Sequence, residues 1–289
     1  GSAQITVNPA TTLDGETEYY VLIDATAFDD SSSNSYAGIS STTALSFTTG
    51  DTSNPTLSSS TPADNATAVG VNANIVLNFS ESVDAESGGF IYLKKTSDDS
   101  TIETIDVTGS KVSGSGSSQI TVNPATTLDS TTEYYVLIDA TAFDDSSSNS
   151  YAGISSTTAL SFTTADVANP TLSSSTPADD ATAVGVNANI VLNFNESVSV
   201  QSGNITIKKS SDNSTVQGID VTGIEVTGSG SAQITVNPAV TLDSSTEYYV
   251  LIDASAFDDS SSNSYAGISS TTALSFTTGD TSNPTLSSS

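Results

Sequence analysis

The residues best equipped for chemistry are oxygen donors in two matching sets: Asp51, Glu81, Asp144, Asp145 and Asn149, then Asp166, Glu196, Asp258, Asp259 and Asn263. Carboxylates and amides suit a hard cation, and the chain holds no His and no Cys for a softer metal. Calcium takes about six to eight oxygen ligands in irregular geometry, whereas magnesium demands a tight octahedron and resists dehydration. Ca2+ is therefore the cofactor these sets predict. No segment matches the EF-hand loop, so the ligands work together only if folding gathers them. The other reading of the same acids is a solvated surface, with Asp and Asn serving turns and capping backbone donors.

Composition narrows the alternatives. The 289 residues include 33 Asp plus Glu against 5 Lys plus Arg, for a formal charge of −28. Positive charge is confined to Lys94, Lys95, Lys111, Lys208 and Lys209, so no basic stripe exists to neutralise phosphates. Nucleic acid and anionic lipid are excluded as partners, and no apolar run is long enough for direct membrane insertion. Without His or Cys, zinc, redox and Ser-His-Asp chemistry are also excluded. The neighbouring Asp144 and Asp145 point apart in a Ser-rich loop, and no Trp is present to line a sugar cleft, so no glycosidase pair is expected. The chain is not expected to be an enzyme. Its negative charge repels itself at low ionic strength, and salt or divalent cations relieve that strain.

The two sets exist because the chain repeats itself. QITVNPA begins at Gln4, Gln119 and Gln233, a period of 115 and then 114 residues. That is far longer than the roughly 20 to 50 residues of a solenoid unit, so each copy should bury its own core. The reading is a partial repeat at 1–49, complete repeats at 50–164 and 165–278, and a linker with the first strand of a further repeat at 279–289. A partial copy and a stub cannot complete one another, so a longer native protein is expected. The one-residue difference in period falls between Asp84 and Phe90, marking a loop that tolerates insertion.

Short segments rich in Val, Ile, Thr, Tyr and Phe alternate with period two, separated by Gly, Asn, Asp and Ser clusters. The fold class is all-β: tandem immunoglobulin-like β-sandwiches with Greek-key connections and about seven strands each. In the first complete repeat strand A is placed at 56–60, B at 74–79, C at 90–95 and C′ or D across 101–112. Strands E, F and G follow at 119–123, 133–142 and 159–164. Alternation points Ile75, Leu77, Phe79, Ile91 and Leu93 inward, with Ile120, Val122, Leu160 and Phe162 facing them. On strand F, Tyr134, Val136 and Ile138 also point inward, and Leu128-Asp129 before them resembles a corner closed by a buried Tyr hydroxyl. Tyr135 and Leu137 are left as an outward stripe, either covered by a loop or serving as a binding patch.

The segments Asn54-Pro55-Thr56-Leu57, Ser60-Thr61-Pro62-Ala63-Asp64, Asn74 through Val83 (NIVLNFSESV) and Leu160-Ser161-Phe162-Thr163-Thr164 resemble the bacterial Ig-like domains of S-layer and large surface proteins. The resemblance covers both complete repeats and the partial one. It implies a stalk, spacer or lattice role in a secreted protein at the bacterial surface or in the extracellular space.

Following a sandwich strand by strand brings the BC, DE and FG loops to the N-terminal pole. There Glu81 in BC, Gly114–Ser117 in DE and Asp144 to Asn149 in FG meet Asp51 and Asn54 of the incoming linker. Asp166, Asn169, Glu196, Asp258, Asp259 and Asn263 repeat the arrangement, and Asp64 or Asp129 of the preceding copy can add to it. Calcium bound there would stiffen a linker of about five residues. The expected partners are neighbouring repeats of the same chain and other copies in a fibre or lattice. Three roles fit: a calcium-stiffened extender, a repeated low-affinity glycan- or protein-binding adhesin module, and a self-assembling S-layer or filament subunit.

Overall fold

The computed structural model describes residues 3–283 and divides into two compact units, residues 1–165 and 166–289. The expected first strand of a further repeat lies outside the described residues. In the first unit the partial repeat contributes β1 (Glu18–Tyr20) and β2 (Ser46–Thr48). The complete repeat then supplies β3 (Leu57–Thr61), β4 (Ala66–Val69), β5 (Ile75–Ala85), β6 (Phe90–Lys95) and β7 (Thr101–Asp106). It continues with β8 (Val112–Ser113), β9 (Ser117–Val122), β10 (Glu133–Ile138), β11 (Phe143–Asp144) and β12 (Ser161–Thr164).

One sheet of this repeat runs β4-β12-β10-β6-β7, and the other runs β11-β5-β9-β8 with β3 also on β5. Pairing is antiparallel except between β4 and β12. The segment expected as C′ or D is both: β7 extends the sheet of β6, and β8 returns to pair with β9 in the other sheet. The strands β4 and β11 were not anticipated, because their four and two residues are too short to show a period.

The second unit repeats the pattern through β13 (Leu172–Thr176), β14 (Ala181–Val184), β15 (Ile190–Val200), β16 (Asn204–Lys209) and β17 (Thr215–Asp220). It ends with β18 (Val226–Thr227), β19 (Ser231–Val236), β20 (Glu247–Ile252), β21 (Phe257–Asp258) and β22 (Ser275–Thr278). Its sheets are β14-β22-β20-β16-β17 and β13-β15-β19-β18, with β21 on β15.

The period-two alternation produces the core directly. Ile75, Leu77 and Phe79 on β5 and Ile120 and Val122 on β9 face Ile91, Leu93, Val136 and Leu160 from the opposite sheet, all buried. Phe79 packs on two neighbouring rings, its centroid 5.4 Å from that of Phe143 and 5.1 Å from that of Tyr151 in an edge-on arrangement. The expected corner is present: the Asp129 N–H donates to the Tyr134 hydroxyl at 2.9 Å, and the Asp243 N–H to Tyr248 at 2.8 Å. Strand F does not leave Tyr135 as an outward patch. Its ring is buried, its hydroxyl donates to Asp99 Oδ1 at 3.1 Å, and Lys94 Nζ lies 5.9 Å from its ring centroid. The covered alternative therefore holds for Tyr135, while Leu137 is half-buried against the core.

Candidate metal centre

Three chain segments of the first complete repeat deliver one carboxylate each to the same place. Asp51 comes from the linker before β3, Glu81 from β5 and Asp145 from the turn after β11, and one oxygen of each lies within 4.8 Å of the others. Asp166, Glu196 and Asp259 form the same group in the next repeat.

Glu81 reaches this group through a strand irregularity. The pairing of β5 with β9 jumps from Asn78–Gln119 to Val83–Ser117, so Ser80, Glu81 and Ser82 fall in a bulged stretch. A bulge re-aims the side chain it carries. The register of β15 on β19 makes the same jump, from Asn193–Gln233 to Val198–Ser231, around Glu196. Glu81 was expected in a loop between strands B and C; it lies instead within a strand of 11 residues, because pairing resumes beyond the bulge.

Asp145 is held by its own loop. Its Oδ1 accepts the backbone N–H groups of Ser147 and Asn149, both at 2.8 Å, and its Oδ2 accepts the Asn149 side-chain amide at 2.8 Å. The same amide donates to the Asp51 backbone carbonyl at 3.3 Å, which ties the linker to this turn. Asn263 repeats both contacts, to Asp259 at 2.8 Å and to the Asp166 carbonyl at 3.3 Å. Asn149 and Asn263 thus act as positioning residues whose amide donors face the carboxylates.

The electrostatics of the group are strained. Burial first, then the charges of Asp51, Asp145 and Glu16, raise the Glu81 carboxyl above its ordinary range. Burial, Asp259 and Asp166 raise Glu196 in the same way. Asp145 moves the other way: burial pushes it up, but the hydrogen bonds from Asn149 and Ser147 outweigh that and lower it. Each repeat therefore fixes one firmly ionised carboxylate beside one that resists ionisation. A hard cation would relieve that conflict, and an all-oxygen donor set fits calcium.

Matches to the model of the bacterial Ig-like domain cover residues 51–164 and 166–278. The chain belongs to this family. Solved structures similar to it include the N-terminal part of the bacterial S-layer protein SbsC, at 12% identity and a TM-score of 0.27, covering 75% of this chain and 43% of that one. The BSP domain of a biofilm-associated protein matches at 12% identity and a TM-score of 0.20, covering 80% of this chain and 30% of that one. Extracellular domains 3–5 of Drosophila OTK match at 8% and 0.28, covering 80% and 66%. This chain thus spans less than two thirds of the length of each of these proteins. No curated protein shows a significant match.

Within these bacterial Ig-like repeats, not every expected ligand joins the group. Asp144 and Asp258 lie outside it, paired through β11 and β21 to the ends of β5 and β15, and each buries an Oδ1 that has no hydrogen-bond partner among the described residues. Asn54 and Asn169 are exposed. The loop at Gly114–Ser117 bonds to the end of β5 instead: the Gly116 N–H donates to the Val83 carbonyl, and Ser115 Oγ accepts the Ala85 N–H.

Asp64 and Asp129 direct their carboxylates into their own repeat. Asp64 Oδ1 accepts the Ser161 N–H at 2.9 Å, and Asp129 Oδ2 is ion-paired with Lys95 at 2.9 Å. Sequence reasoning missed Glu16, whose charge reaches Glu81 from the partial repeat. Its position after Gly15 is filled by Thr131 and Ser245 in the complete repeats, so comparison of the copies singles it out as the acidic exception.

Proposed function

We propose that this chain is an extender of a secreted bacterial surface or extracellular fibre protein, and that each complete repeat binds Ca2+ through Asp51, Glu81 and Asp145 or through Asp166, Glu196 and Asp259. The observation that carries the calcium reading is the gathering of a linker carboxylate with two carboxylates of the folded repeat within 4.8 Å, in both copies. A cation held there would pin the linker residue to the sandwich that follows and so limit bending at the repeat's entry. The extender reading rests on family membership and on two repeats that each bury an extensive core of their own. Among the described residues no helix is long and apolar enough to cross a membrane.

Calcium sites of extracellular modules typically dissociate at about 10⁻⁴ to 10⁻³ M, so a millimolar extracellular medium would load them and a cytosolic one would not. Small-angle scattering and thermal unfolding of the chain, with chelator and then with millimolar CaCl2, test the proposal. Added calcium should lengthen the chain's mean dimension and raise its melting temperature; no change in either would reject the stiffening role. Particles that grow with calcium would instead favour a self-assembling lattice subunit. Binding of glycans or proteins by the chain would favour the adhesin module.

A further inference from the structure

The two complete repeats are near copies, and a group of their differences gathers on one face. The strands β10 and β20 have the same sequence, EYYVLI, whereas the strands paired with them read FIYLKK in β6 and NITIKK in β16. Alternation turns Ile91 and Leu93 into the core and leaves Phe90 and Tyr92 half-buried on the outer face of the sheet, where the second repeat has Asn204 and Thr206. Thr104 lies directly across from Tyr92, and Gly218 directly across from Thr206. A Cβ at Gly218 would meet nothing within 4 Å, so the face is open at that point.

The first repeat thus carries a pair of rings that its twin lacks, beside a carboxylate that the twin shares. The Phe90 and Tyr92 ring centroids lie 6.4 Å apart with their planes at 42°. Asp139 Oδ2 accepts the Phe90 N–H at 3.1 Å and the Tyr92 hydroxyl at 3.2 Å, and Asp253 Oδ2 accepts the Asn204 N–H at 2.8 Å. Among the described residues Asp139 Oδ1 accepts no hydrogen bond. Asp106 stands opposite Phe90 on β7, so acids flank the rings on both neighbouring strands.

The same sheet shows what such a group can hold. Tyr135 on β10 also donates its hydroxyl to a carboxylate, Asp99, and its ring carries the Lys94 ammonium 5.9 Å from the centroid. An aromatic face attracts a cation through its quadrupole, and a neighbouring carboxylate adds direct attraction. Among the described residues no ammonium lies over Phe90 or Tyr92. A chain with a charge of −28 draws polycations from a distance and repels its own copies, so charge favours a cation brought by a basic partner.

We infer that the outer face at Phe90, Tyr92, Thr104 and Asp139 is a docking site for a lysine-rich, net-positive polypeptide, with one lysine ammonium seated on the rings and bonded to Asp139 Oδ1. The site belongs to the first complete repeat alone, so the second remains a spacer. It depends neither on calcium binding nor on the extender reading.

The test titrates the full chain with a short peptide of alternating lysine and glycine, at physiological ionic strength so that diffuse attraction is screened, and follows nuclear magnetic resonance shifts. On binding, the lysine ε-methylene protons should move upfield in the ring current, and the amides of residues 90–92 and 137–139 should shift. The variant Phe90→Asn, Tyr92→Thr carries the residues that the second repeat already accepts in the same register. It should bind about tenfold more weakly and lose the upfield shift. Conversely, Asn204→Phe with Thr206→Tyr should create a second site. Equal binding by the native and ring-less chains, or no gain from the added rings, would overturn the inference, because diffuse charge would then hold the peptide. So would undiminished binding after acetylation of the peptide's lysines, which removes the ammonium and keeps the alkyl chain. Displacement of the peptide by a neutral oligosaccharide would assign the rings to a sugar and equally overturn it.

Discussion

Glu103 on β7 forms an ion pair with Lys111 and accepts the backbone N–H groups of Ala125 and Thr126 at 3.0 and 3.1 Å, whereas the next repeat places Gln217 and Glu225 at these two positions. Gln217 keeps only the bond from the Ala239 N–H, at 3.1 Å. Burial raises the Glu103 carboxyl, but Lys111 and the two backbone donors outweigh it and leave the group below the ordinary value of 4.5. Its folded pKa lies under its unfolded one, so its stabilisation is present above about pH 4.5 and is lost as pH falls through the folded pKa.

The first complete repeat should therefore lose stability below about pH 4.5 that its Glu103→Gln variant does not lose. At pH 7 that variant should cost about 1–2 kcal/mol, since a charged acceptor of two backbone bonds becomes a neutral one. Urea unfolding at pH 7 and pH 3.5 measures both effects, and equal acid sensitivity of the two proteins would refute them.

Glu81 and Glu196 carry the opposite sign. Their folded pKa values are raised above the ordinary 4.5, so without metal each binds a proton more readily in the folded state, and stability should grow as pH falls through the folded pKa toward 4.5. This window lies above that of Glu103, so the two effects separate on one pH axis. Melting curves in chelator from pH 7 down to pH 4.5 should show the gain in the native chain and not in a Glu81→Gln, Glu196→Gln chain.

Asn149 holds the Asp145 carboxylate and the Asp51 carbonyl together. Asn149→Ala should weaken calcium binding at the first complete repeat about tenfold while leaving the site of Asp166, Glu196 and Asp259 unchanged, as expected when a partner that orients a ligand is removed. Isothermal titration would show one of two sites weakened. Two unaltered sites would mean that Asn149 orients nothing the metal uses.

Gly153 lies against the backbone at the end of β10. It sits at φ +77°, and a Cβ there would lie 2.5 Å from the Ile138 carbonyl oxygen. Gly153→Ala should cost at least about 2 kcal/mol through strain and backbone displacement. A denaturation midpoint within error of the native one would contradict this.

Much of the sandwich was legible because alternation is a local property. Ile75, Leu77 and Phe79 could face only one way once strand B was recognised, and all three are buried. What escaped was non-local. The bulge that holds Glu81 arises where β5 and β9 fall out of register, which neither strand shows by itself. Tyr135 looked outward because its cover comes from Lys94 and Asp99 on another hairpin. The candidate ligands were recognisable by type and repetition, but Asp144 and Asp145 are adjacent and equivalent in composition. Only the turn closed by Asn149 separates the residue that joins the group from the one that does not.

The most direct test of calcium pinning is the calcium-dependent shift in melting temperature of the native chain beside that of the Glu81→Gln, Glu196→Gln chain. If each site dissociates at about 0.1 mM, 10 mM CaCl2 should stabilise each native repeat by about 2.7 kcal/mol, a shift on the order of 10 °C. The double variant should melt higher than the native chain in chelator, because a strained carboxylate has been neutralised, and should gain little from calcium. Equal calcium shifts in the two proteins, or none in either, would contradict the claim that these carboxylates bind calcium and pin the linker.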